Sequence, residues 1–216
     1  MLSTLNDLLN EQQVNYITSY YKKENFQCGS NSNPDTEVKN NLEMKYDVQN
    51  NALSKLLLKT LTAESRLVYM LIKSLSQFYF LWYNEGSFYN WHLDNYPECG
   101  GVKADMSMTI WLNDPDEYEG GELIVKVGNQ ETIHKPKKGT ALIYSTGLLH
   151  KVNPVTKGDR KVAVAWYESR IEDTFMRNAM VDYGLMLDEL TPNLTKDQLF
   201  QLENFRVKMV REYGKR

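Results

Sequence analysis

Between Phe78 and Tyr167 the chain breaks into short runs rich in β-branched and aromatic residues, separated by turns containing Gly, Pro, Asn or Asp. The runs are Phe78–Tyr83, Tyr89–Leu93, Met106–Leu112, Gly121–Val127, Gln130–His134, Ala141–Tyr144 and Val162–Tyr167. Short strands at such regular spacing predict a sandwich, or a barrel of sandwich type. Gly128-Asn129 between two of the runs marks a tight hairpin.

The flanks read differently. From Leu2 to Lys23, Leu5, Leu8, Leu9, Tyr16, Ile17 and Tyr20 recur at helical spacing and predict one or two amphipathic helices. Cys28 to Asp35 is polar, contains Gly29 and Pro34, and reads as a loop. A helix is expected from Asp47, its N-cap, to Leu61, with Leu53, Leu56, Leu57 and Leu61 on its apolar face. After Ile171 helical texture returns with Met176, Met180, Leu185, Leu187 and Leu190. Thr195 is placed to cap a last helix carrying Leu199, Leu202, Phe205 and Val210. The expectation is one mostly β domain with flanking α, over 1–216: helical in 1–77, a β core in 78–168, and C-terminal helices in 171–216.

A chain of 216 residues can bury a real core. Its net charge of −3 gives no electrostatic reason to expect nucleic acid or an anionic membrane as partner. Cys28 and Cys99 read as two reduced thiols, because two cysteines make neither a disulfide framework nor a zinc motif. No N-terminal stretch combines a basic start with a long apolar core. The most apolar run, Leu67 to Trp82, is interrupted by Lys73, Ser74, Ser76 and Gln77, so no membrane span is expected. An intracellular, reducing setting follows.

His92 and Asp94 stand two residues apart in Tyr-Asn-Trp-His-Leu-Asp-Asn. In an extended strand, positions i and i+2 face the same way, so one strand presents imidazole and carboxylate together. His150 from a distant strand completes a 2-His-1-carboxylate set, which leaves positions open on a non-haem Fe(II). Ten residues later Arg160 opens a run of Val, Ala and Trp that should be buried, and a buried guanidinium needs an anionic partner. Its planar fork suits a carboxylate. Metal and carboxylate anchor together point to an oxygenase using 2-oxoglutarate. The remaining histidine, His134, has no carboxylate two residues away and reads as structural.

Several segments resemble a known family. Tyr83-Asn-Glu-Gly86-Ser-Phe-Tyr89-Asn-Trp-His92-Leu-Asp94 is similar to the Y-x-x-G-x-x-Y-x-x-H-x-D segment of prolyl 4-hydroxylase-type 2-oxoglutarate oxygenases. Lys39-Asn40-Asn41, Asp105-Met-Ser-Met-Thr, the block from Leu112 through Tyr118-Glu-Gly120-Gly121 to Leu123, and His150 to Arg160 resemble the PKHD-type hydroxylases more closely. The resemblance runs from Lys39 to Leu185.

It implies a double-stranded β-helix, a jelly-roll core. It also implies Fe(II) on His92, Asp94 and His150, with 2-oxoglutarate and O2 as co-substrates and ascorbate as a further cofactor. Arg160 would pair with the distal carboxylate of 2-oxoglutarate, and Tyr83 matches a tyrosine lining that pocket. Trp111, alternating inward with Ser107 and Thr109, stands where a tyrosine is common. Trp166 shares the Arg160 face by period-two alternation and would wall the same pocket.

Hydroxylation of a prolyl residue in a peptide or protein is the implied function. Hydroxylation of a free amino acid or other small molecule is an alternative, and a non-catalytic β-barrel binding module is another. Substrate choice is expected in the loops Gly86–Phe88, Asn95–Lys103 and Asp114–Glu119; the acidic run Asp114, Asp116, Glu117 and Glu119 reads as a solvated loop, with selection of a basic substrate as the alternative. Tyr89 reads as packing, and Lys135, Lys137 and Lys138 as a solvated turn. Gly120-Gly121 reads as a turn needing positive φ or close approach. A third reading makes the C-terminal helices a homodimerisation or partner-docking element.

Overall fold

The computed structural model describes residues 2–29, 38–48, 52–94 and 101–214. The strands are β1 (Leu2–Leu5), β2 (Phe26–Cys28), β3 (Lys39–Asn40), β4 (Leu42–Met44), β5 (Ile72–Leu75), β6 (Tyr79–Tyr83), β7 (Phe88–His92), β8 (Met106–Trp111), β9 (Tyr118–Gly120), β10 (Leu123–Val127), β11 (Gln130–His134), β12 (Ala141–Ser145), β13 (His150–Val152), β14 (Val155–Gly158) and β15 (Arg160–Ser169). The α-helices are α1 (Glu11–Thr18), α2 (Tyr46–Val48), α3 (Ser54–Ala63), α4 (Thr174–Leu190) and α5 (Lys196–Tyr213).

An eight-stranded sheet runs β1-β12-β8-β15-β6-β4-β2, with β5 on β15. A five-stranded sheet runs β11-β10-β13-β7-β3, and β9 pairs separately with β14. From β6 onward the core strands pass back and forth between the two larger sheets, which is the jelly-roll arrangement. It is a pair of facing sheets rather than a closed barrel.

Alternation decides which side each residue serves. On β15, Val162 joins the apolar cluster between the sheets, with Leu81, Tyr83, Trp111, Val125, Leu142 and Tyr144. Ala163, Ala165 and Tyr167 face the other way, into a cluster shared with the helical residues Ile17, Leu57, Leu61, Met180 and Val181. The eight-stranded sheet is therefore buried on both faces, and every residue of β8 is buried. Burying one such apolar side chain contributes about 1.5–3 kcal/mol, so this double coverage makes the sheet a stiff floor for the site.

Within 78–168 the seven expected strands form with ends shifted by at most two residues, and Val127 pairs with Gln130 across the Gly128-Asn129 turn. Thr195 caps α5 in a capping box with Gln198.

The stretch 1–77 departs from the helical expectation, for it carries five strands. Leu2–Leu5 is β1, paired antiparallel with β12, and only α1 is helical before Lys23. Leucines spaced three and four apart suit either state, and the available edge of β12 decides. Asp47 lies inside the single turn α2 rather than at the head of a long helix, and α3 begins at Ser54. Leu53, Leu57 and Leu61 are nonetheless buried, as their spacing predicts. Cys28 ends β2 and is exposed. Residues 30–35 of the expected 28–35 loop, and 95–100 of the expected substrate loop with Cys99, lie outside the described residues. Among the described residues, no helix is long and apolar enough to cross a membrane.

Candidate metal centre and anion pocket

β7 and β13 lie side by side in the five-stranded sheet, with His92 and His150 as direct register partners. Their ladder is irregular. Val152 pairs with Tyr89, so two residues advance on β13 while three advance on β7. Such a bulge lets residues three apart share a side, and the Tyr89 ring stacks on the His92 imidazole at 3.5 Å and 10°. Asp94 follows just beyond the end of β7.

Asp94 Oδ1 is 3.7 Å from His92 Nε2, and Asp94 Oδ2 is 3.5 Å from His150 Nε2. One ligand atom from each residue lies within 4.8 Å of the others, close enough to hold one metal ion.

The surroundings fix which nitrogen faces inward. His92 Nδ1 lies 2.7 Å from the Asn90 carbonyl oxygen, and His150 Nδ1 lies 2.9 Å from that of Leu148. A carbonyl only accepts, so each Nδ1 carries the proton and each Nε2 lone pair points to the centre. Burial holds the His92 imidazole down at about 4, with His150 adding to the effect and Asp94 opposing it. At neutral pH the ring is uncharged, the state a ligand needs. Ser107 Oγ donates to Asp94 Oδ2 at 2.6 Å, orienting the carboxylate from the facing sheet.

The second locus lies along β15. Arg160 is 1% exposed and pairs in register with Tyr83. Its guanidinium carbon sits 4.9 Å from the Tyr83 ring centroid and 5.6 Å from that of Trp111. Among the described residues no carboxylate comes within 4.0 Å of it. Arg160 Nε, Trp111 Nε1 and Tyr118 Oη are all buried without a hydrogen-bond partner. A buried cation with neighbouring unsatisfied donors is costly unless an anion joins it, so the pocket fits a carboxylate. Burial pushes the Tyr83 phenol up to about 12, with Arg160 opposing, and raises the Tyr118 phenol in the same way. Both stay protonated and able to donate.

Gly121 makes room for this pocket. Its φ is +66°, and a Cβ there would lie 3.0 Å from Val155 Cγ2, 3.1 Å from Tyr118 Cε2 and 3.2 Å from Arg160 Cδ. The preceding Gly120, with φ +71°, would place a Cβ 2.1 Å from the Pro154 carbonyl oxygen. Close approach and positive φ both apply here.

The structure thus brings His92, Asp94 and His150 together, and separately Arg160, Tyr83 and Trp111. Trp166 faces the same side as Arg160 but lies six residues along β15, roughly 20 Å of strand. There it pairs with Ser107 and meets the Tyr79 ring edge-on at 5.3 Å. It belongs to the level of the metal ligands.

Tyr118 escaped the sequence reading because it sits in an acidic stretch that looks solvated. Its only signal was the Gly-Gly pair that follows. Those acids engage the chain's own lysines: Asp114 meets Lys138 at 3.4 Å, and Glu119 meets Lys157 at 3.1 Å. Lys135 stacks its ammonium 4.2 Å from the Tyr118 ring centroid. His134 is half-buried with Nε2 2.9 Å from Thr132 Oγ1, away from the metal ligands.

With this geometry in place, comparison with known proteins is informative. Residues 78–168 match the 2OG-Fe(II) oxygenase superfamily. A PKHD-type hydroxylase of Picosynechococcus is 39% identical over 120 residues, covering 56% of this chain and 54% of that protein. One from Sphingopyxis alaskensis is 33% identical over 178 residues, covering 80% and 81%. The chain thus spans about half the length of the first relative and four-fifths of the second. It belongs to the PKHD-type hydroxylases, a family of 2-oxoglutarate-dependent dioxygenases that work with Fe(II) and O2.

Among solved structures, a Pseudomonas putida prolyl-4-hydroxylase superposes with a TM-score of 0.55 at 17% identity, covering 78% of this chain and 92% of that one. A prolyl hydroxylase from Trichoplax adhaerens, in complex with a hypoxia inducible factor peptide fragment, gives 0.56 at 16%, covering 78% and 83%. At these identities the likeness speaks for the fold.

Proposed function

We propose that this chain hydroxylates a prolyl residue in a peptide or protein, holding Fe(II) on His92, Asp94 and His150 and the distal carboxylate of 2-oxoglutarate on Arg160. The observation that carries this reading is the pairing of two incomplete sites on facing sheets: three converging ligand atoms on one, and a buried guanidinium in need of an anion on the other.

When bound, the iron and co-substrate supply the oxidising chemistry, in which O2 and 2-oxoglutarate become succinate, CO2 and the oxygen inserted into a substrate C–H bond. The chain's own residues bind, orient and exclude water. Arg160 offers charge-assisted hydrogen bonds of about 1.5–3 kcal/mol each, with the Tyr83 and Tyr118 hydroxyls beside it. The Asn90 and Leu148 carbonyls keep both imidazoles turned, and Ser107 steadies Asp94. Tyr79 and Trp166 present an aromatic surface at the level of the metal ligands, where the pyrrolidine ring of a proline would pack. The peptide-bound Trichoplax enzyme shares this fold, which supports a peptide substrate.

The test is anaerobic addition of Fe(II) and 2-oxoglutarate, followed by proline-containing peptides of increasing length. A visible metal-to-ligand charge-transfer band and hydroxyproline formation that improves with length are expected. A folded protein with no band would sink the assignment of these ligands. Turnover of free proline with no gain from length would replace a peptide substrate by a small molecule.

A further inference from the structure

The Lys39-Asn40-Asn41 run reaches the anion pocket through Asn41, which lies against the Tyr83 hydroxyl, but neither that pocket nor the metal ligands account for Lys39. Here the chain leaves the edge of the five-stranded sheet at β3 and enters the eight-stranded sheet at β4, so 39–43 forms a side wall between the sheets. Lys39, Asn41 and Glu43 alternate along it and are 6%, 2% and 8% exposed. Lys39 pairs in register with Tyr89, the tyrosine stacked on His92, and its Nζ lies 5.5 Å from that ring's centroid. Glu43 pairs with Leu81, which belongs to the cluster between the sheets. Both charges therefore face the chamber that holds the metal ligands.

Lys39 Nζ and Glu43 Oε2 form a buried ion pair at 3.9 Å, where a well-packed apolar pair commonly serves a wall as well. Between them Asn41 is buried beside the Tyr83 hydroxyl. Burial also lowers the Lys39 ammonium from its ordinary value, with Glu43 and then Asp94 opposing.

We propose that Lys39 and Glu43 clamp the main chain of a substrate residue beside the iron, Lys39 donating to its carbonyl or carboxylate oxygen and Glu43 accepting from its N–H or ammonium. The inference rests on the hydroxylase reading above. An extended residue turns its own N–H and C=O to one side, as in a strand ladder. A free amino acid carries matching charges at the same ends. Either ligand is neutral overall and leaves the buried pair balanced. For a peptidyl proline, which has no N–H, the clamped residue is its neighbour.

The test uses the full chain loaded anaerobically with Fe(II) and 2-oxoglutarate. The twenty free amino acids and a series of end-blocked Ala-Pro-Ala peptides are titrated against the charge-transfer band. The wild type is expected to respond to at least one probe, and the class of that probe separates the free amino acid from the peptide. Lys39→Met combined with Glu43→Met leaves no buried charge unpaired. It should keep the band and raise that probe's Kd at least ten-fold. The isosteric Glu43→Gln is the second variant, expected to raise Kd more for ammonium-bearing probes than for blocked peptides. A wild-type band that no probe perturbs, or Kd values unchanged in both variants, would overturn the clamp. Absence of the band in the wild type would remove the hydroxylase reading and the clamp with it.

Discussion

The two facing sheets build their halves of the site by opposite means. The five-stranded sheet places the proposed metal ligands on, or just beyond, the short strands β7 and β13, whose ladder slips by one residue between His150 and Val152. The eight-stranded sheet places Arg160 at the start of a ten-residue strand paired without interruption to β8 from Val162 to Tyr167. A metal centre needs three atoms converging on a point: direct pairing of His92 with His150 supplies two, Asp94 just past the end of β7 the third, and the slip turns the Tyr89 ring onto His92. An anion pocket needs one cation held at fixed depth, which a regular ladder does well. The ligands are then oriented by backbone carbonyls, and the guanidinium by aromatic rings and a missing Cβ.

Substitutions that touch only one sheet should separate these functions. The largest effect is expected from His150→Ala, which removes a ligand: Fe(II) binding and turnover should fall below detection by calorimetry and product assay. Next comes Arg160→Ala. Losing two charge-assisted hydrogen bonds of about 1.5–3 kcal/mol each should raise the 2-oxoglutarate KM about 100-fold or more while iron stays bound. Arg160→Lys should fall between, keeping charge without the fork. Iron lost along with the co-substrate in Arg160→Ala would mean the two sheets do not act separately.

A smaller loss is expected from Gly121→Ala, which forces a Cβ against Tyr118, Val155 and the Arg160 stem at positive φ. Strain of about 1–3 kcal/mol should lower Tm by several degrees and raise the 2-oxoglutarate KM without changing iron affinity. Smallest is Ser107→Ala, which removes a hydrogen bond that crosses between the sheets to Asp94. Metal affinity should drop about ten-fold, read by competition with a chelator, with co-substrate KM unchanged at saturating iron.

What was legible in the sequence followed the same divide. The regular strands announced themselves, because Met106–Trp111 and Arg160–Ser169 are dense in β-branched and aromatic residues. The convergence of His92, Asp94 and His150 was also legible, since residue type and order single them out and the structure brings them together. The short, irregular pieces were not. β13 has three residues and β14 reads Val-Thr-Lys-Gly, so neither has a period to detect. β1 was mistaken for helix because its pairing partner lies more than 130 residues away, and local spacing carries no trace of it. Alternation named the face of Trp166 correctly, yet it cannot measure distance along a strand. It therefore grouped Trp166 with an arginine at the other end.

β1 has a consequence beyond the site. It covers one flank of β12, whose Ala-Leu-Ile-Tyr segment is fully buried. A bare sheet flank of that composition invites docking by any other extended chain, including a copy of itself. The four residues of β1 therefore act as a guard against clumping. Material in which β1 is removed or its pairing broken would be harder to keep dispersed during purification even with every catalytic group intact.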